Sequence, residues 1–316
     1  MTTLTRLVAD VGGTNTRLAL FDPAADELRA LVTYDNCDHQ RLEDIITHWL
    51  QALDEPAPIT CCIAAAAPPA DDRVVMVNIN WSFSCRDLAR RFGFATLGWI
   101  NDFQGIAYAL PHLGGADRQL LHAGHPKAQG KLAAMGPGTG LGGATLEIVA
   151  GTPLACACEP GHMGVAAATA LELEIARLLL PRHGEIHAEL LVSGPGLQRL
   201  YHALAQIRGK TPDQLIPAEI SRRALQNQDE LCVLTLNTFC ALLGSVCGDF
   251  VLAGGAYGGL YLAGGIIPRM IPFLRASNFA QRFRAKGRMG DHLASVPLYA
   301  ITATQPGLIG AAHAPL

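Results

Sequence analysis

The chain has 316 residues, with 24 Lys and Arg against 27 Asp and Glu, for a net charge of −3. That length leads to an expectation of two domains, and an apolar share of 50 % is ample for two cores. No basic stripe or charge run is present, so nucleic acid is not an expected partner.

Residues 4–10, 17–22 and 28–34 read as three strands of an antiparallel meander. MTTLTR leads straight into the first of them, so no signal peptide is expected and the protein is placed in the cytoplasm. Leu42, Ile45, Ile46, Trp49, Leu50 and Leu53 recur at helical spacing and predict a helix packed on the sheet. The apolar run 59–66 predicts a buried strand ended by Pro68 and Pro69, and 86–93 a short helix closing at Gly93. A second buried strand covers 97–100, followed by Asn101-Asp102 and a helix to Leu110 that Pro111 stops. Residues 112–130 hold no strong pattern and carry Gly114, Gly115, Gly124, Pro126 and Gly130, which marks a domain boundary. The expected division is 1–111 plus about 303–316 in a smaller α/β domain and 112–302 in a larger one.

In the larger domain a strand–turn–strand covers 132–149, and helices are expected near 168–181, 195–206, 217–226, 229–250, 268–274 and 278–285. Strands follow at 258–264 and 296–301, and 306–312 reads as a terminal helix that returns to the first domain. The most apolar stretch, 231–253, contains Thr235, Asn237, Thr238, Gly244, Gly248 and Asp249, so a buried helix is expected rather than a membrane span. The nine cysteines have no disulfide-like spacing and fit a reducing compartment. Cys156, Cys158 and His162 are three local ligands where a structural zinc takes four, so no zinc site is expected.

Two glycine-rich loops carry the chemistry: LVADVGGTNTRLALFD at 7–22 and LAAMGPGTGLGGATLEIV at 132–149. Aligning Gly13-Thr14 with Gly138-Thr139 also puts Leu7 on Leu132, so two similar halves are expected. Glycine lets backbone N–H groups approach phosphate oxygens, and two such loops suit one polyphosphate. Asp10, at the end of the first strand, can organise Mg²⁺ through water. Asn101-Asp102 stands where open α/β sheets bind ligands, and a carboxylate there can take a proton from a hydroxyl; alternatively one of the pair is only a helix N-cap. Glu159 and His162 on one tight loop suit a polyhydroxy ligand, or are ordinary surface groups. Glu189 is another hydroxyl binder or a solvated helix face, and Gly264-Gly265 after a buried strand is either a helix cap or a flat seat for adenine.

In this order the segments DVGGTNTRLAL, IND before Phe103, GPGTGLG, Glu159-x-Gly161-His162, AELLVSGPGL and GGLYLAGGI resemble bacterial glucokinases, sugar kinases of the superfamily that includes actin and hexokinases. The resemblance spans nearly the whole chain. It implies an α/β fold of two actin/hexokinase-like (ribonuclease H-like) domains around a central cleft, a homodimer, and ATP-dependent phosphorylation of glucose at the 6-hydroxyl. Asp102 would be the general base, with Asn78, Asn101, Glu159, His162 and Glu189 binding the sugar. Ala9, Asp10, Val11, Gly12, Gly13, Thr14, Gly138, Thr139, Gly264 and Gly265 would bind Mg²⁺-ATP, with Asp10 holding Mg²⁺ through water. Four departures stand out: Ala9 and Pro160 where glycine is common, Ile79 where histidine is, and MGVAAAT after His162. They leave open a kinase for another hexose or N-acetylhexosamine, or a sugar sensor without turnover.

Overall fold

The computed structural model describes residues 5–68, 71–125 and 130–316. Leu4, Pro69 and Pro126 of the expected elements lie outside these residues. The chain forms two compact units: Met1–Gly114, Leu146–Ala157 and Ala303–Leu316 make unit 1, and Gly115–Thr145 with Cys158–Thr302 make unit 2.

Unit 1 is built on a five-stranded sheet in the spatial order Glu27–Asp35, Asn15–Asp22, Arg6–Val11, Thr60–Ala65, Thr96–Asn101. The first three strands are the expected antiparallel meander, and the last two run parallel to Arg6–Val11. One face, with Leu7, Ala9, Val11, Cys61 and Ile63, packs on Ile45, Ile46 and Trp49 of the Leu42–Gln51 helix. That helix buries the stripe its spacing predicts.

The terminal helix, Pro306–His313, packs against the Asp102–Ala109 helix and the Arg6–Val11 strand. Both helices give up side chains to come this close: a Cβ on Gly310 would lie 1.6 Å from the Gly105 carbonyl oxygen. Arg6 closes the far end, its guanidinium donating to the carbonyls of Ala311, Ala312 and Ala314 at 3.2, 2.8 and 2.8 Å. These are the carbonyls that the helix itself leaves unsatisfied.

The second sheet has six strands in the order Thr152–Cys158, Leu141–Val149, Leu132–Pro137, Gly259–Leu262, Leu298–Ile301, Arg118–His122. Glu230–Gly254 is the central helix of unit 2, capped by Asp229, whose carboxylate accepts from the Leu231 and Cys232 N–H groups at 2.8 and 3.0 Å. Its mean hydropathy is 1.8 over the most apolar 18-residue window, of which 83 % is buried. Gly244 and Gly248 admit the backbone of the Phe279–Arg284 helix: a Cβ at either would lie 2.2 or 2.3 Å from the carbonyl oxygens of Phe279 and Phe283.

Several elements depart from expectation. Arg118–His122 is an edge strand in the stretch read as patternless. Edge strands need no continuous apolar face, and no residue of this one is buried. Thr152–Cys158, at the opposite edge, buries only Ala155 and was likewise not expected as a strand. The helix expected at 268–274 is split into a 3₁₀ turn, Ile267–Met270, and a short helix, Ile271–Ala276, each started by a proline. None of the nine cysteines, all among the described residues, forms a disulfide, and burial pushes the thiols of Cys62 and Cys240 up to about 12, which makes them inert packing groups.

Candidate active site

In unit 1 the first glycine loop joins the Arg6–Val11 and Asn15–Asp22 strands. Ala9 and Val11 are fully buried in the core, so only their backbone is available to a ligand. Gly12 closes the turn by donating to the Asn15 carbonyl at 3.0 Å. Thr14 is exposed at its tip. The loop is held from behind by Asn36, which the sequence did not single out. Its side-chain amide donates to the Gly12 carbonyl at 2.9 Å and accepts from the Thr16 hydroxyl at 2.8 Å. Its backbone N–H donates to the Thr14 carbonyl at 2.8 Å. Asn36 is buried, and its bond with the Thr16 hydroxyl is shielded from water.

Asn78 lies on the exposed turn after the Arg73–Val75 strand, directly over Gly13. A Cβ on Gly13 would come 2.8 Å from the Asn78 Cβ. Ile79, where a histidine was expected, is partly buried against the core. Asp10 pairs with Arg17 across the hairpin at 3.3 Å. Burial pushes its carboxyl up, and the Arg17 charge and hydrogen bond offset part of that. Its neighbour on the other side is Gly307, where a Cβ would lie 3.0 Å from both carboxylate oxygens. Gly307 is in the first turn of the terminal helix, where the helix dipole favours an anion. Here too a glycine is needed for approach, at a position without a motif.

Asn101 ends the Thr96–Asn101 strand and caps the Asp102–Ala109 helix. Its Oδ1 accepts from the Phe103 and Gln104 N–H groups at 2.9 and 3.4 Å, and the Gln104 Oε1 accepts from the Asn101 N–H at 3.0 Å. This reciprocal pair is a capping box. The Asn101 Nδ2 also donates to the Ala67 carbonyl at 3.0 Å. The N-cap alternative therefore holds for Asn101, and one amide hydrogen remains for a ligand. Asp102 follows at the first helical position, half-buried.

In unit 2 the second glycine loop joins the Leu132–Pro137 and Leu141–Val149 strands. Gly138 donates to the Gly140 carbonyl at 2.8 Å, and its own carbonyl accepts from Gly194 at 2.8 Å. Thr139 is exposed. Gly264 (φ +93°) and Gly265 follow the neighbouring Gly259–Leu262 strand, and a Cβ on Gly264 would lie 2.6 Å from the Pro137 carbonyl oxygen. The two glycine segments thus meet at one end of the sheet.

Glu189 supports the same loop: its Oε2 accepts from the Leu141 N–H at 2.8 Å. A Cβ on Gly140 would lie 2.5 Å from that oxygen, and one on Gly161 3.2 Å from it. Pro160 is buried against Gly143, where a Cβ would lie 2.7 Å from the Pro160 Cγ. That packing leaves Gly143 no room for a side chain. Glu159 and His162 flank the Pro160–His162 turn, 3.9 Å apart and both exposed. The His162 ring lies parallel to that of His187, with centroids 5.6 Å apart. His187 was also missed, although it stands two residues before Glu189. Glu159, His162, Glu189 and the Gly138 loop are therefore gathered in unit 2, as Asp10, the Gly12 loop and Asn78 are in unit 1.

A family model described as Glucokinase matches residues 7–315. The glucokinase of Saccharophagus degradans (strain 2-40) is 39 % identical over 309 residues, covering 97 % of this chain and 96 % of that one. A crystal structure of glucokinase from an Antarctic psychrotroph matches with TM-score 0.90 at 38 % identity, covering 98 % of each chain. A ROK family glucokinase from Streptomyces griseus, solved in complex with glucose and AMPPNP, shares the fold at TM-score 0.65 and 18 % identity, again over 98 % of each chain. Matches of this length and identity show that the chain belongs to the glucokinase family, enzymes of the actin-like α/β sugar kinase fold.

Proposed function

We propose that this enzyme transfers the γ-phosphoryl group of ATP to the 6-hydroxyl of glucose, with Asp102 as the general base. The observation that carries the reading is the placement of Asp102 one residue past a strand end, on a helix start stiffened by the Asn101–Gln104 capping box. A base must be held still to take a proton at hydrogen-bond distance. In the reaction the 6-hydroxyl proton passes to Asp102, the sugar oxygen bonds to the γ-phosphorus, and the bond from that phosphorus to the ADP oxygen breaks. Phosphoryl transfer needs little more from the protein than positioning and charge stabilisation.

The Gly12–Thr14 turn and the Gly138–Thr139 loop would hold phosphates with backbone N–H groups and hydroxyls, and Gly264-Gly265 would lie along the adenosine. Asn78, Asn101, Glu159, His162 and Glu189 would bind sugar hydroxyls. Mg²⁺ suits Asp10, a largely buried carboxylate whose burial Arg17 only partly offsets; a cation reached through water completes that balance. When bound, Mg²⁺ would neutralise charge on the phosphates.

The test is turnover of glucose, mannose, fructose, N-acetylglucosamine and N-acetylmannosamine with Mg²⁺-ATP, following ADP and sugar 6-phosphate together. Glucose is expected to be preferred. Asp102→Asn is expected to lower kcat by about 10²–10⁴-fold with glucose binding kept. A variant with near-normal kcat removes Asp102 from the role, and preference for another sugar moves the substrate while leaving the base in place.

A further inference from the structure

Three residues far apart in sequence meet in unit 1. Asp26 is in the turn between the Asn15–Asp22 and Glu27–Asp35 strands, His112 ends the 3₁₀ turn Leu110–His112, and His313 is the last residue of the terminal helix. Each offers one ligand atom, and these atoms all lie within 4.8 Å of one another. Among the described residues this is the one group of three or more such side chains. None of the three belongs to the sugar or nucleotide motifs.

We propose that Asp26, His112 and His313 form a binding site for a transition-metal dication of the zinc class, with an open fourth position. Two imidazoles and one carboxylate are a common set for such ions and a poor one for Mg²⁺, which takes oxygen ligands. His313 Nε2 and Asp26 Oδ1 are 3.2 Å apart. Ligands at about 2.0–2.1 Å on a tetrahedral ion are separated by about 3.3 Å, so this pair already spans one edge of the coordination shell. His112 now lies flat on His313, with ring centroids 3.4 Å apart and planes at 10°. Parallel rings cannot both aim their in-plane lone pairs at one ion, so the His112 ring must swing out of the stack on binding. His112 is exposed, which leaves it room to do so.

Such an ion ties the hairpin turn, the end of the Asp102 helix and the last helix together. It therefore binds the folded unit better than the unfolded chain, and folded-state binding raises the melting temperature. The test uses the full-length protein, freed of metal and titrated with Co²⁺, by calorimetry and visible absorption. One equivalent is expected to bind with the weak bands of nitrogen and oxygen ligation and without strong thiolate charge transfer. Affinity is expected to fall in His112→Gln and in Asp26→Asn by more than the roughly 10- to 100-fold that losing an outer-shell partner of a metal ligand costs, and Zn²⁺ is expected to raise the melting temperature of the parent but not of His112→Gln. Asn tolerates the positive φ of 54° at position 26, so that variant keeps the turn. Equal affinity in parent and variants, a thiolate spectrum, or no bound equivalent overturns the proposal and leaves an ordinary His–Asp contact beside a ring stack.

Discussion

Asp10 is half of a pair with Arg17, and its side chain is 20 % exposed against 33 % for Arg17. Burial raises its carboxyl above the ordinary 3.8 despite Arg17. A raised carboxylate favours the folded chain in its protonated form, so its contribution is best below the unfolded value and is lost as pH climbs through the folded one. At neutral pH Asp10 therefore costs stability. Asp10→Asn is expected to raise the melting temperature at pH 7 while raising KM for Mg²⁺-ATP, a trade between stability and function; a lower melting temperature would show that the Arg17 pair outweighs burial. Glu159 and His162 are exposed and support little packing. Glu159→Gln and His162→Ala are thus expected to leave the unfolding free energy within about 0.5 kcal/mol of the parent and to raise KM for the sugar strongly. A rise in KM for ATP instead would remove them from the sugar.

At this same scale the sequence shows a motif residue more readily than its support. Gly13 and Asp10 stand out because unusual residues cluster there. Asn36 does not, because a buried Asn between a strand and a turn looks like any loop polar group until its three bonds are seen. Asn101 and Glu189, proposed as sugar binders, likewise bond the backbone around them. A side chain beside a ligand site is also beside the backbone that shapes it, and it bonds whichever groups are in reach.

Among the elements, the start of the Ala170–His183 helix and the Phe279–Arg284 helix are joined by Glu172 and Arg282, whose side chains are 6 % and 12 % exposed. Burial pushes the Glu172 carboxyl up. Two hydrogen bonds from Arg282, one of 3.1 Å, and one from the Ala168 N–H at 2.7 Å more than reverse that and hold it below the ordinary 4.5. A lowered carboxylate stabilises the fold above its unfolded value, and the gain is lost as pH falls through the folded one. Arg282→Met leaves the carboxylate buried without its cation, at a cost of about 3–5 kcal/mol. Urea melts from pH 7 to pH 4 are expected to show this loss at neutral pH and a variant that gains on the parent as the medium turns acid. Parallel curves would mean that the pair adds nothing. The partners of this bridge are 110 residues apart, and nothing in the local pattern links them. Helices with a continuous apolar stripe, such as Leu42–Gln51, were legible because the stripe is local. Edge strands such as Arg118–His122 were not, because their stability comes from ladder bonds to Leu298–Ile301.

For the whole molecule, the proposed roles assign one sugar to residues of both units: Asn78, Asn101 and Asp102 from unit 1, Glu159, His162 and Glu189 from unit 2. The doubled glycine hairpin was legible as local structure, since each loop joins neighbouring strands of its own sheet. The proposed joint use of a ligand is a different matter, because no local pattern encodes which distant loops share a substrate. Ligand binding makes it measurable. At free glucose of about 100 times Kd, binding to the folded chain alone adds about 2.7 kcal/mol, which for units of this size is a rise of several degrees in melting temperature. Hydrogen exchange then locates the contacts. Glucose is expected to slow exchange in 77–80 and 101–104 of unit 1 and in 159–163 and 187–190 of unit 2, in one saturable step with one Kd. Slowing confined to unit 2 would leave Asp102 without a sugar hydroxyl to deprotonate and would sink the general-base assignment. Slowing confined to unit 1 would return Glu159 and His162 to the status of surface groups. Two steps with different Kd values would mean two separate ligand sites, and the kinase reading would then need a different sugar to satisfy both units at once.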